Sequence, residues 1–155
     1  MPKPSIPRRR KGRDDYVRRL IVALDNPEPM TPVRAAWILG ELRATDAMQE
    51  LVGSAGRHSD DPEFLSAVVE ALGKMADEAC VPFLTKLAHS SYLKVRLSAV
   101  EALANWRDAE PAVQALRRAL HDPNAIVRRA AVQALGNRSL RGMDAEGDRD
   151  AASDA

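Results

Sequence analysis

Apolar residues recur along this chain at intervals of three and four. Near its end Val127, Ala130, Ala131, Ala134 and Leu135 form one such stripe. That spacing puts all five on one face of a helix with 3.6 residues per turn. The same phrase occurs four times: "TPVRAAWILG" (31–40), "FLSAVVEALG" (64–73), "VRLSAVEALA" (95–104) and "VRRAAVQALG" (127–136). The copies end at Gly40, Gly73, Ala104 and Gly136, evenly spaced along the chain. Self-similarity at a period of roughly 32 predicts a repeat array.

Each copy reads as the second helix of a hairpin. The first helices are "DYVRRLIVALD" (15–25), "AMQELVGSAGRH" (47–58), "VPFLTKLAHS" (81–90) and "PAVQALRRALHD" (111–122). Pro82 and Pro111 suit a first helical turn, where a missing N–H costs nothing. Asp46, Asp77 and Asp108 are expected as N-caps, with Asp46 and Gln49 in a capping-box pattern. Gly40, Gly73 and Gly136 are expected at helix C-termini, where glycine tolerates positive φ. Turns rich in Pro, Asp, Asn and Ser join the helices. A single hairpin cannot hide its apolar stripe, whereas stacked hairpins hide one another's. Leu103, Leu135 and Trp106 are expected in the core.

The pattern resembles the HEAT repeat, specifically its short phycobilisome-lyase-like class, in which a helical pair ends in a "VRxxAxxALG" helix. Val95-Arg96 with Ala99 and Ala102-Leu103, and Val127-Arg128 with Ala131 and Ala134-Leu135-Gly136, carry the likeness. It covers roughly residues 15–137. The implied fold is all-α: a right-handed α-α superhelix, or HEAT-like solenoid, of about four hairpins at 15–42, 46–75, 79–106 and 110–137. Thr31-Pro32 and Phe64-Leu65 replace Val-Arg in the first two copies, and the Asp-before-Arg pairing usual in the family survives fully as Asp122 with Arg128.

Composition narrows the picture. The chain has 155 residues, 45% of them hydrophobic but only 4% aromatic, which favours Ala/Leu/Val helix packing over a β-sandwich. One cysteine, Cys80, excludes an internal disulfide and fits a reduced compartment. No apolar run reaches the ~20 residues of a bilayer span, and a cytoplasmic location is expected. Net charge is +1. Residues 1–13 carry Arg8, Arg9, Arg10, Lys11 and Arg13 among prolines and are expected to be a disordered basic arm. Residues 138–155 are expected to be an acidic disordered tail.

In a VRxxAxxALG helix, positions three and seven point away from the apolar stripe, toward the concave wall of a stack. Position three reads Val33, Ser66, Leu97 and Arg129; position seven reads Trp37, Glu70, Glu101 and Gln133. An aromatic and two aliphatics on a solvated face suggest a protein-binding surface. Packing of Trp37 under the N-terminal segment stands as the alternative. His58, His89 and His121 recur once per repeat, about one hairpin (~10 Å) apart, too far to share a metal. They are expected to cap helix-end carbonyls. No Walker loop, G-x-S-x-G, CxxC or HExxH occurs, and no cofactor, metal or catalytic residue is assigned.

The expected function is therefore a non-catalytic scaffold or adaptor binding another protein through Val33, Trp37, Glu70, Leu97, Glu101, Arg129 and Gln133. One alternative is nucleic-acid or anionic-surface binding through the basic arm. Another, implied by the resemblance alone, is an accessory subunit of a lyase or isomerase acting on a tetrapyrrole. An uncapped last hairpin leaves self-association open.

Overall fold

The computed structural model describes residues 8–136, with side chains from Gly12 onward. The described residues are helical throughout, without strands. The helices are α1 (Arg8–Ala23), α2 (Met30–Glu41), α3 (Met48–Arg57), α4 (Pro62–Met75), α5 (Val81–Leu87), α6 (Leu93–Leu103), α7 (Glu110–Ala119) and α8, over residues 125–136. They pair in sequence as hairpins. The chain divides after Asp77 into two compact units of two hairpins each.

In the first unit α1 packs on α2, α3 on α4, and α2 most extensively on α4. Leu20, Leu24, Leu39, Leu51, Phe64, Val68 and Leu72 fill its core. In the second unit α5 packs on α6 and α7, and α6 on α7. Leu84, Val95, Val100, Leu103, Leu116 and Val127 fill that core. Leu135 and Trp106 are only partly buried, so neither is the core residue expected. Trp106 belongs to a 3-10 turn, Ala104–Trp106, in which no residue is buried.

The helix ends differ from the expected ones for identifiable reasons. No described glycine has positive φ. Gly40 lies inside α2 and is buried there against α4. A Cβ at Gly40 would sit 2.7 Å from the Ala71 Cα and 3.0 Å from its Cβ. The glycine allows two second helices to approach closely, and the chain reverses just after it. There Arg43 (φ 47°) takes the left-handed position. Its N–H reaches the Gly40 carbonyl at 2.9 Å, and the Ala44 N–H reaches Leu39 at 3.0 Å. This is a Schellman end, with buried Ala44 and Leu39 as its apolar pair. Ala76 (φ 56°) ends α4 at the equivalent place.

N-termini are also rearranged. Asp46 lies within a 3-10 turn, Thr45–Ala47, and α3 starts after Ala47. Cys80, not Asp77, precedes α5, and Ala109, not Asp108, precedes α7. Asp61 caps α4, accepting from the Glu63 and Phe64 N–H groups at 3.0 Å. Residues 8–13 were expected within a disordered arm, yet α1 begins at Arg8. Arg and Lys are good helix formers, and Arg13 also donates to the Leu42 carbonyl at 2.8 Å. Residues 1–7 and the acidic segment 138–155 lie outside the described residues.

Candidate interaction surface

Trp37 is the most exposed aromatic side chain of the first unit, at 52%. It sits one turn beyond Val33 on α2, and Val33 is half-buried beside it. From α4 the Lys74 ammonium lies over the indole, 5.5 Å from the ring centroid. The same ammonium forms an ion pair with Glu41 at the end of α2. Glu70 is exposed one turn before Lys74 on α4. Trp37, Glu41, Glu70 and Lys74 therefore share the α2–α4 face. A cation over an indole face is attracted by the ring quadrupole, by about 0.5–1 kcal/mol where water has access. The Lys74 contact restrains the ring in an outward position.

Neither Lys74 nor Glu41 was among the expected site residues. Their separation of 33 residues is one repeat, so the register itself brings them together. The Glu70/Lys74 spacing of four was a local signal that an acid and a base share one helix face.

In the second unit Leu97 is half-buried on α6 and Glu101 is exposed one turn later. Arg129 and Gln133 are exposed on α8, again one turn apart. Ser66 departs from the expected pattern. It is buried at 1%, and its hydroxyl has no partner among the described residues. Position three is not uniformly solvated because α4 is covered from both α2 and α3.

The recurring turn residues join hairpins. Asp25 in the first turn is contacted by Arg57 (Nη2 2.7 Å, Nε 3.3 Å), the Ser54 hydroxyl (2.9 Å) and His58 Nε2 (3.1 Å). The Arg57 hydrogen bonds, helped by Ser54 and His58, outweigh desolvation and hold the Asp25 carboxyl down at about 2. The His58 ring also meets Phe64 edge-on, with centroids 5.6 Å apart. So His58 binds a neighbouring hairpin's carboxylate, where carbonyl capping was expected. Asp25 precedes His58 by one repeat, in the position that histidine fills in the later copies.

In the second unit the equivalent link is Arg96 to Asp122, with Nε–Oδ2 at 2.8 Å and Nη2–Oδ1 at 3.3 Å. Both side chains are largely buried. The Asp122–Arg128 pairing expected from sequence takes another form. Arg128 donates to the backbone carbonyls of Asp122 (2.8 Å) and Pro123 (2.9 Å), leaving the carboxylate to Arg96. Arg96 does the same to the Ser90 and Ser91 carbonyls. Each arginine thus clasps its own turn. Burial alone would raise the Asp122 carboxyl, but the Arg96 and Asn124 hydrogen bonds and the Arg96 and Arg128 charges bring it below the usual range.

Among the described residues no three His, Cys, Asp or Glu side chains gather as a metal site requires. Cys80 is buried. No helix among them is long and apolar enough to cross a membrane.

The paired helices, the turn-clasping arginines and the regular period agree with a comparison against known families. The family model for HEAT repeats matches residues 17–104 and 87–153. This chain belongs to the HEAT-repeat family. Among curated proteins this HEAT-repeat chain is 29% identical over 120 residues to an uncharacterized phycocyanin operon protein Z of Pseudanabaena tenuis. The match covers 73% of this chain and 58% of that protein.

Proposed function

We propose that this HEAT-repeat protein is a non-catalytic scaffold that holds a partner protein on the α2–α4 face around Trp37. The observation that carries the reading is the half-exposed indole, restrained by Lys74 and bordered by Glu41 and Glu70. A large exposed aromatic in a restrained position loses little conformational freedom when a partner covers it. Covering the remaining exposed area, on the order of 100 Å², contributes about 2.5 kcal/mol. The carboxylates favour a basic or polar partner. Between residues 12 and 77 twelve Asp and Glu outnumber seven Lys and Arg. Val33 adds apolar area, while Glu70 sets register and on-rate more than affinity. In the second unit Leu97, Glu101, Arg129 and Gln133 are the corresponding recognition residues of α6 and α8.

Site-specific photo-crosslinking tests the reading. A benzoylphenylalanine in place of Trp37 should trap a defined partner in native extract, and one in place of Tyr16 on α1 should not. Equal labelling from both positions would remove the assignment.

The likeness to a phycocyanin operon protein supports a second reading, an accessory role in attaching or isomerising a tetrapyrrole. Titration with a free bilin separates the two. A shifted, saturable absorbance band would favour the second reading, and unchanged spectra would remove it.

A further inference from the structure

The second unit carries a group of cations that the proposed surface does not use. Lys86 lies in the last turn of α5, and Arg117 and Arg118 lie in the last turn of α7. All three are exposed, as are His89 and His121 just beyond them. None of the five side chains makes a hydrogen bond or ion pair among the described residues. Helices α5 and α7 pack side by side, so their final turns are neighbours.

Two adjoining grooves run over this face, of about 280 and 380 Å³, and both are lined by His89 and Arg118. Lys86 lines the smaller groove and His121 the larger. The carboxylate present, Asp122, is engaged by Arg96. Glu110, at the other end of α7, accepts from Gln114 at 3.1 Å. The charge is therefore not balanced locally, and between residues 78 and 136 eight Lys and Arg face five Asp and Glu. The helix dipole rationalises a cation in each last turn. It does not account for two histidines and Arg118 converging on grooves whose single carboxylate is already taken.

We propose that this α5–α7 face docks an acidic segment of a partner polypeptide. The grooves are open, meet at His89 and Arg118, and are walled in part by Pro82, Pro111, Ala115 and Ala119. That shape suits an extended chain, whereas a lone phosphate needs donors converging on one enclosed point. Alternate side chains of an extended segment point the same way about 7 Å apart. The face belongs to the second unit, and the Trp37 surface to the first.

The test uses the full chain and a fluorescein-labelled octaglutamate peptide, followed by anisotropy at low salt. Lys86→Gln with Arg118→Gln should weaken binding about tenfold, while Arg19→Gln, which removes an exposed cation from α1, should stay within twofold. Circular dichroism melts confirm folding, and Arg118→Gln alone, expected to weaken binding about threefold, serves if the double variant unfolds. An equal loss in Arg19→Gln would overturn the proposal by showing general charge attraction. So would oligothymidylate of matched charge binding more tightly and losing the same factor in the double variant, since the face would then read phosphates. Removal of residues 138–155 should leave octaglutamate affinity unchanged. A tenfold gain would assign the face to this chain's own acidic segment and overturn the partner.

Discussion

Replacing Gly40 with alanine isolates the close approach of α2 and α4. Alanine is the better helix former by about 1 kcal/mol, and Gly40 is not held by positive φ. Propensity alone therefore expects stabilisation. Packing expects the reverse. The new Cβ would lie 2.7 Å from the Ala71 Cα, 3.0 Å from its Cβ and 3.5 Å from its carbonyl oxygen. Carbon atoms settle near ~3.5–4.0 Å, so α2 and α4 must part by about 1 Å. The nearest opposing atom is backbone, and the Ala71 Cβ is fixed to it, so neither can swing aside. Overpacking costs about 1–3 kcal/mol. Separating the helices also loosens the core around Leu39 and Leu72, which places the cost at the upper end. After the propensity gain the net loss is about 2 kcal/mol.

Gly53 in α3 supplies the control, because its nearest neighbour is the flexible Arg57 guanidinium at 3.5 Å. Gly53→Ala should stabilise by about 0.5–1 kcal/mol. Urea melts followed by circular dichroism measure both. Adding Ala71→Gly to Gly40→Ala should restore only part of the loss, since the Ala71 Cα remains in the way. If Gly40→Ala raises stability as Gly53→Ala does, the close approach does not exist and the packing of the first unit is misassigned.

Other expectations are narrower. Leu103→Ala, at a fully buried site in α6, should cost about 2–5 kcal/mol; an unchanged melt would remove Leu103 from the core. Arg43→Gly should stabilise by about 0.5 kcal/mol by relieving the left-handed backbone, net of glycine's greater freedom in the unfolded chain; a loss in the same urea melts would show that the side chain matters more than φ. Asp25 is held at about 2, below the ordinary 3.8. Its contribution to stability is therefore complete above about pH 4 and is lost as pH falls toward 2. Asp25→Asn should lower stability at pH 7 by about 1 kcal/mol, a figure kept small because the side chain is 45% exposed and screened. The difference from wild type should close near pH 2, and one that persisted there would assign the effect to something other than the carboxylate.

The hairpins were legible in sequence because their signal is summed over many positions: four apolar stripes in one register, with turn residues between them. The ends were harder. Gly40 looked like a C-cap because glycine serves both conformational freedom and close packing, and the neighbour that decides, Ala71, lies a whole repeat further along, on another helix. Asp46 and Asp108 looked like caps until a 3-10 turn and an intervening residue displaced the helix starts. Asp61, directly before Pro62, carried a capping signal but falls among the turn residues between the helices expected at 47–58 and 64–73. At the candidate site, position seven correctly marked Trp37, Glu70, Glu101 and Gln133 as exposed. It could not show Lys74 over the indole, which depends on how far apart two helices lie. Position three failed at Ser66 because α4 is covered on two sides.

The central functional claim rests on Trp37, and one comparison tests it most directly. Wild-type protein and Trp37→Ala, matched in their melts, are used to capture partners from the native lysate, and the captured protein is then titrated against each. Loss of the indole should weaken that complex about 50-fold while leaving the fold intact. A partner held with equal affinity by both proteins would contradict the account and move recognition away from the α2–α4 face.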